Sequence, residues 1–555
     1  MQNWVRLRWP AAFTFLLLLA TFAAPAAAQV RIVPPAGESA TADVVQLQDL
    51  LEQGRQLELQ RRWGEALTLY EDALRDHPGE SDLRRRFDLA KLHYDLGRRY
   101  ADNSFQHAVA QMGDADALEV YSDVLLKVQS HYVHRPDWAR LVAWGTSSLE
   151  VALTDADFVD QHLDRVPQDR IDRFRNNLRH WVGQQQITGR HTARDVVAAA
   201  ARMTRDHLGL PVPVSVMEYT CGATNSLDDY SAYLTPDQLG DVYSQIDGNF
   251  VGLGVELKAD GNSLLIVNVI TGSPAQQSGV RAGDRIVAVD GHSTGDMTTD
   301  EAAGLLQGEE GSLVELTVAT ANQSQRTVTV RRAHVEVPSV DRVRLVDESQ
   351  GIGYLRLTCF QKTTSRDLDA ALWDLHRQGM QCLIMDLRGN PGGLLSSAVE
   401  VADKFVDRGT IVSTRGRNPH EDFNYSAHHN GTWGIPLVVL IDGDSASASE
   451  IFAGAMHELG RATIVGNRSY GKGSVQGIFP LKSAHGLRGA GLRLTTAKFY
   501  SPAGHPYSKV GVQPDVQVRV TARPADGQIV GAAFEQNDPY ISAAVGVAQQ
   551  QVARR

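Results

Sequence analysis

From residue 42 to about 210, apolar positions recur at three- and four-residue spacing with few alternating runs, the pattern of packed helices. Residues 211–248 continue it as a helical connector. From Gly248 the chain changes to short alternating runs broken by glycines, which predicts a small β-rich domain over 249–337. Residues 338–520 then alternate apolar runs (352–357, 382–387, 411–413, 437–441, 462–465) with helical stretches (365–378, 394–406, 448–459). Such alternation predicts a layered α/β domain. Its reactive groups are expected where strands end and helices begin. The tail, 521–555, is polar and alanine-rich and is expected to be flexible. The fold class read from the pattern is multidomain: an α-helical N-terminal region, a β-rich domain and an α/β layered core.

The first 28 residues stand apart. Arg6 and Arg8 precede an apolar stretch, 11–24, and Ala26, Ala27 and Ala28 supply small residues before polar sequence begins. This is the pattern of an export signal cut after Ala28, and it predicts a periplasmic or otherwise extracytoplasmic protein. Left uncut, 11–28 is near the lower length limit for spanning a bilayer, so membrane anchoring depends on that cut. A linker, 29–41, follows with Pro34, Pro35 and Gly37.

Composition narrows the function classes. At roughly 150 residues per domain, 555 residues make about four units, enough to bury full cores without disulfides. Hydrophobic residues are 43% and charged residues 21%, with 49 glycines in no collagen period, which excludes a disordered or fibrous chain. The net charge is -11 and no dense Lys/Arg block occurs, so nucleic acid is not an expected partner. Cys221, Cys359 and Cys382 make neither a disulfide framework nor a metal spacing. Cys359 and Cys382 fall in apolar runs that read as strands. His428-His429 has no third ligand in reach by spacing, and neither metal nor cofactor is expected.

Within the helical region, Gly54, Ala66, Tyr70, Ala73 and Pro78 fit the small, aromatic and helix-ending positions of a 34-residue tetratricopeptide repeat. A binding array needs about three such units and one matches. A plain helix hairpin and a docking site for a protein partner therefore both stand.

In the β-rich domain, Gly252-Leu253-Gly254-Val255, then Ser273-Pro274-Ala275, then Gly283-Asp284-Arg285-Ile286-Val287, then a helical stretch at 299–306, follow in order. Together they resemble a PDZ domain, which implies a module that binds a peptide C-terminus. The turn Leu253-Gly254-Val255 offers successive backbone N–H groups to a carboxylate, and the strand after it offers an edge to an extended peptide.

Two junctions of the α/β region carry unusual sequence. In 386–393, Pro391 fixes a turn, and Gly392 and Gly393 leave N–H groups uncovered at a helix start, a place suited to a developing oxyanion. In 441–450, Ser447 and Glu450 fit a capping box. Yet Ser445, Ser447 and Ser449 crowd together among alanines at a helix N-terminus, where negative charge is favoured. A serine nucleophile is plausible there, and the local sequence leaves all three serines open. The nucleophile-elbow pattern G-x-S-x-G is absent. No histidine stands in a triad setting, and His457 reads as a charge near a helix C-terminus.

Lysine is the remaining base. Residues 466–473 nearly spell a phosphate loop, but Gly473 stands where the magnesium-binding hydroxyl belongs and a strand pattern follows, so the nucleotide reading is rejected. Glycines on both sides can press Lys472 into a pocket. Lowering its pKa from about 10.4 to about 7 corresponds to about 4.6 kcal/mol against the charged form.

The segments 445–450, Gly471-Lys472-Gly473 with Gln476, and 387–393 resemble the active-site motifs of the C-terminal processing proteases, serine peptidases with a Ser/Lys dyad. So do 227–234 and 511–515. The resemblance implies a crotonase/ClpP-like core, Ser447 as nucleophile, Lys472 as general base and Gln476 as the group that orients it. It implies an oxyanion hole from the N–H of Ala448 and that of Gly392 or Gly393. The implied activity is an endopeptidase that cleaves proteins and peptides with free C-termini near those ends, and homo-oligomers are left open. The competing class is an inert PDZ and helical-repeat binding scaffold. About seventy residues, including 154–211, intervene where the family usually runs on quickly, and they are assigned no role.

Overall fold

The computed structural model describes residues 39–554 apart from 261–262, 296–304, 307, 321–324, 429–431, 482–488 and 519–537. The leader, most of the linker, most of the 299–306 helix and His429 lie outside the described residues. The chain forms two compact units: one runs up to Leu239 and includes Gln476–Thr495, and the other comprises Gly240–Val475 and Thr496 onwards.

The first unit is helical from Ser39–Leu59 to Val212–Asn225. None of the described helices is long and apolar enough to cross a membrane. The repeat-like positions pack one hairpin: Ala66 and Tyr70 are fully buried, and Gly54 lies against the Tyr70 ring. The intervening stretch forms the helices Ala156–Leu163, Gln168–Gly183 and Arg190–Leu208, and their apolar residues Phe158, Ile171, Leu178 and Val197 join the unit's main core. At the centre Trp138–Ala152 meets Val212–Asn225 with glycine against backbone. A Cβ built on Gly222 would fall 2.5 Å from Trp144 O, and one on Gly145 would fall 2.4 Å from the Tyr219 ring. Buried beside them, Glu218 takes bonds from Arg99 (2.7 Å), Tyr100 (3.1 Å) and Ser148 (3.0 Å), so its charge is compensated on every side.

The second unit begins with the β-rich domain. Val255–Asp260, Ser263–Val269, Arg285–Val289, Leu313–Ala319 and Arg326–Arg331 form one antiparallel sheet in that order, and Asn249–Gly252 pairs with Ala333–Glu336. Leu253, Ile266, Ile286, Leu316 and Val330 fill its core.

The α/β core is a sheet ordered Val340–Asp347, Ile352–Leu357, Cys382–Asp386, Leu437–Ile441, Thr463–Gly466 and Val516–Gln517, parallel after its first pair. Its central strands are buried on both faces, as continuous apolar runs require. Leu383, Met385, Val439 and Ile441 point to the helices Thr364–Arg377, Leu395–Asp403 and Ala448–Glu458. Cys382, Ile384, Val438 and Leu440 point the other way, against Ile541, Ala544 and Ala548. Those three lie on a helix, Pro539–Ala553, within the tail that polarity marked as flexible. Their spacing is one helical stripe, and the second sheet face supplies the apolar surface that holds it. The 411–413 run belongs to a different sheet, as part of Thr410–Gly416 paired with Phe423–Ser426. Cys359 lies two residues past Ile352–Leu357 rather than on it.

The glycine contacts set opposite expectations for two substitutions. Gly222→Ala forces a methyl group into Trp144 O and should lower stability by about 1–3 kcal/mol. Gly97→Ala, on an exposed helical position with nothing within 4 Å, should raise it by about 0.5–1 kcal/mol. Denaturant unfolding followed by circular dichroism measures both.

Candidate active site

Parallel neighbours in the core end level with one another. Asp386 is in register with Leu440, and Ile441 with Gly466. The loops that follow leave the sheet side by side, and these are the segments 386–393, 442–449 and 466–473.

Hydrogen bonds stitch the first two loops together. Asn390 donates from its side chain to Leu357 O (2.8 Å), and its own carbonyl accepts from Ala446 N–H (3.1 Å) and Ser449 Oγ (3.0 Å). Asp442 Oδ1 accepts from Gly389 N–H (3.0 Å) and Ser445 N–H (3.0 Å). Arg388 is held by Asp386 (2.6 Å) and by Asp538 at the start of the C-terminal helix (2.8 Å).

The three serines separate by environment. Ser445 is buried and donates to Leu387 O (2.9 Å), and Ser449 is buried and donates to Asn390 O. Their hydroxyls are engaged in holding the glycine loop. Ser447 is half-buried, and its backbone sits at φ 55°, ψ -112°, a sparsely populated conformation for any residue but glycine. It stands between a strand and a helix, so the turn has the strained form of a nucleophile elbow without that motif's glycines. Its hydroxyl does not cap the helix. The capping box is present on the other side, where Glu450 accepts from Ser447 N–H (2.8 Å).

Gly392 packs directly on this turn. A Cβ there would lie 2.8 Å from Ser447 Cβ and 2.8 Å from Ala448 N. The N–H of Gly392 already donates to Asn390 Oδ1 (2.8 Å). Of the two glycines named from sequence, Gly392 is the one against Ala448, and its N–H is already engaged. Gly393 itself is pressed against Phe360, whose carbonyl accepts from Leu394 N–H (2.8 Å).

Lys472 is buried, at 2% exposure. Its flanking glycines admit a passing segment: a Cβ on Gly473 would fall 2.3 Å from Ser508 N, and one on Gly471 would fall 3.1 Å from the Lys509 backbone. Lys472 N–H donates to Glu450 Oε2 (2.8 Å), the oxygen that also takes Ser447 N–H. Ser447 and Lys472 are thus brought to one carboxylate. Gln476 lies on the strand Ser474–Pro480, at the start of the stretch belonging to the first unit.

Sequence reading missed the breadth of Glu450, which it took only as a cap. The other donors come from Ser469, Gly471 and Lys472, far along the chain, and no local pattern announces them. The 511–515 motif also finds a physical role, since Val512 N–H donates to Ser469 Oγ (2.7 Å) and Asp515 accepts from Ile464 N–H (2.8 Å) and His457 (3.0 Å). His428 pairs with Asp403 (3.0 Å). Among the described residues, no group of three or more His, Cys, Asp or Glu could hold a metal ion.

In the β-rich domain, Leu253 and Val255 point inward and Gly254 has φ 79°. The carbonyls of Leu253 and Gly254 accept from Ala275 N–H and Ile270 N–H, both at 2.9 Å. A Cβ on Gly254 would strike Ser273, so this turn is closed to any larger residue.

Residues 351–518 match the peptidase family S41 and residues 265–320 match a PDZ domain. The chain is 39% identical over 303 residues to a carboxy-terminal-processing protease of Bartonella bacilliformis, covering 54% of this chain and 68% of that one. It is 36% identical over 384 residues to a carboxyl-terminal-processing protease of Picosynechococcus sp., covering 68% and 86%. Among solved structures, a photosystem II D1 C-terminal processing protease aligns at 28% identity and a TM-score of 0.36, over 70% of this chain and 95% of that one.

The environments of the three serines predict which one reacts. A small fluorophosphonate should label Ser447 and leave Ser445 and Ser449 unmodified, as read by peptide mass mapping. Ser445→Ala and Ser449→Ala should each remove one of two donors from a buried carbonyl, with Asn390 N–H remaining on Leu387 O and Ala446 N–H on Asn390 O, and cost about 0.5–1.5 kcal/mol of stability.

Proposed function

Because the chain belongs to the carboxyl-terminal-processing proteases, serine-type peptidases of family S41, we propose that it is an exported endopeptidase cleaving near protein C-termini through an acyl-enzyme on Ser447. The observation that carries this reading is the strained, half-buried Ser447 turn, tied to the Lys472 backbone through Glu450 and packed against Gly392. The export proposal rests on the pattern of residues 1–28.

In the proposed reaction the neutral Lys472 amine takes the Ser447 proton as Oγ attacks the scissile carbonyl carbon. The N–H groups of Ala448 and Gly393 hold the resulting oxyanion, helped by the N-terminal end of the helix Ala448–Glu458. Lys472 then returns the proton to the leaving amine, and a water molecule, activated by the same lysine, hydrolyses the ester. Gln476 is proposed to orient the lysine amine. The turn at Leu253, Gly254 and Val255 is proposed to capture the substrate's terminal carboxylate, which delivers the adjoining chain for cleavage. The helical unit is left for a protein partner.

An unstructured test protein, with its C-terminus free or amidated, checks these assignments when fragments are followed by mass spectrometry. Ser447→Ala and Lys472→Ala should each abolish cleavage, and the double variant should be no worse than either, since both groups act in one step. Wild-type turnover in Ser447→Ala would sink the nucleophile assignment. Amidation removes charge-assisted hydrogen bonds of about 1.5–3 kcal/mol, so cleavage at low substrate concentration should fall tenfold or more. Equal rates for the two termini would remove the carboxylate from the proposal.

A further inference from the structure

We propose that Glu450 is a positioning residue that holds the base against the nucleophile, an inference that rests on the Ser447/Lys472 reading above. Glu450 is fully buried and its carboxylate gathers four donors. Oε2 accepts from Ser447 N–H and from Lys472 N–H, both at 2.8 Å. Oε1 accepts from Gly471 N–H (2.7 Å) and from Ser469 Oγ (2.6 Å). One oxygen therefore bridges the backbones of the two reacting residues, and the other anchors the loop that carries the lysine.

A helix cap does not need this arrangement. Capping is achieved by a surface side chain with one or two bonds, whereas burying a carboxylate is costly unless its lone pairs are filled. Here they are filled from the nucleophile turn and from a loop about twenty residues further on. The Ser447 N–H bond also helps hold that residue at φ 55°, the conformation that turns its hydroxyl out of the helix. Moving either backbone by about 1 Å would disturb the alignment of Oγ and amine that the proposed reaction requires, and displacements of that size cost about 100-fold in rate.

The clamp works only while the carboxylate is ionised. Each oxygen already accepts two donors, so adding a proton sets a donor against a donor and at least one bond is lost. Burial pushes this carboxyl up to about 7, opposed by the bonds from Ser469, Ser447, Gly471 and Lys472. The titratable neighbours on the packed elements are Lys472 on its own loop and Tyr507, whose ring lies against Gly454 of the same helix as Glu450. As pH falls through about 7, the clamp loosens and turnover falls with it.

Two variants, assayed on the full chain with a peptide substrate, test the proposal. Glu450→Gln keeps the shape but presents an NH2 group to backbone donors. It should lower kcat by about 100-fold while KM stays within about threefold, the split expected when a transition-state alignment is lost. A folded Glu450→Gln enzyme with wild-type kcat overturns the proposal. Ser469→Ala removes one donor and leaves the Ser447 and Lys472 bonds in place. Because that donor favours the ionised form, its loss should move the acid limb of kcat to higher pH. Lost support for Val512 N–H shows in Tm and not in that limb. An acid limb that stays where the wild type has it also overturns the proposal, and this holds even if Glu450→Gln fails to fold. Failure of the underlying reading would look different, as activity retained in Ser447→Ala or Lys472→Ala.

Discussion

The loops at the core's strand ends depend on one constraint, that backbone groups leaving a sheet beneath other chain must find partners there. Three parallel strands finish level, and the segments that follow them are too crowded for water to serve every donor. Asn390, Asp442 and Glu450 answer this with side chains that bond a neighbouring segment as well as their own. The catalytic geometry proposed above is a consequence of this stitching. The backbones of Ser447 and Lys472 are tied to one buried acceptor, Glu450 Oε2, which a purely apolar packing would not provide.

The same crowding explains the residue sizes. Gly392, Gly393, Gly471 and Gly473 each sit where a Cβ would meet backbone atoms at 3.1 Å or less. Ser445 and Ser449 occupy the positions, two before and two after Ser447, that a nucleophile elbow gives to glycine. They are tolerated because each hydroxyl reaches a carbonyl of the neighbouring glycine loop, so a side chain that would otherwise obstruct becomes a tie.

Much of this was legible in the sequence. The alternation of apolar runs and helical stretches marked four strands of the core sheet to within a residue, but not Val340–Asp347 or Val516–Gln517 at its edges, and the serine, glycine and lysine segments stood out as junctions. What one chain could not reveal was that the Ser445 and Ser449 hydroxyls are engaged, because that depends on carbonyls of Leu387 and Asn390 some sixty residues away. That the Gly392 N–H is taken by the Asn390 side chain was equally invisible. Glu450 was visible only as a cap, since its remaining partners are contributed by tertiary folding.

The C-terminal helix was a different kind of oversight. Unbroken apolar strands such as 437–441 already implied cover on both sheet faces, and the helices found by pattern lie on one. Some further element had to close the second face, and the alanine-rich tail was the chain left to do it. Its small side chains let Pro539–Ala553 approach the sheet closely, and Asp538 at its start meets Arg388. Arg388 is mostly buried between Asp386 and Asp538, with Tyr540 beneath its guanidinium, and a charge so placed needs both carboxylates. The docking of the last helix is therefore coupled to the loop that holds Gly392 and Gly393, four to five residues further along the same turn.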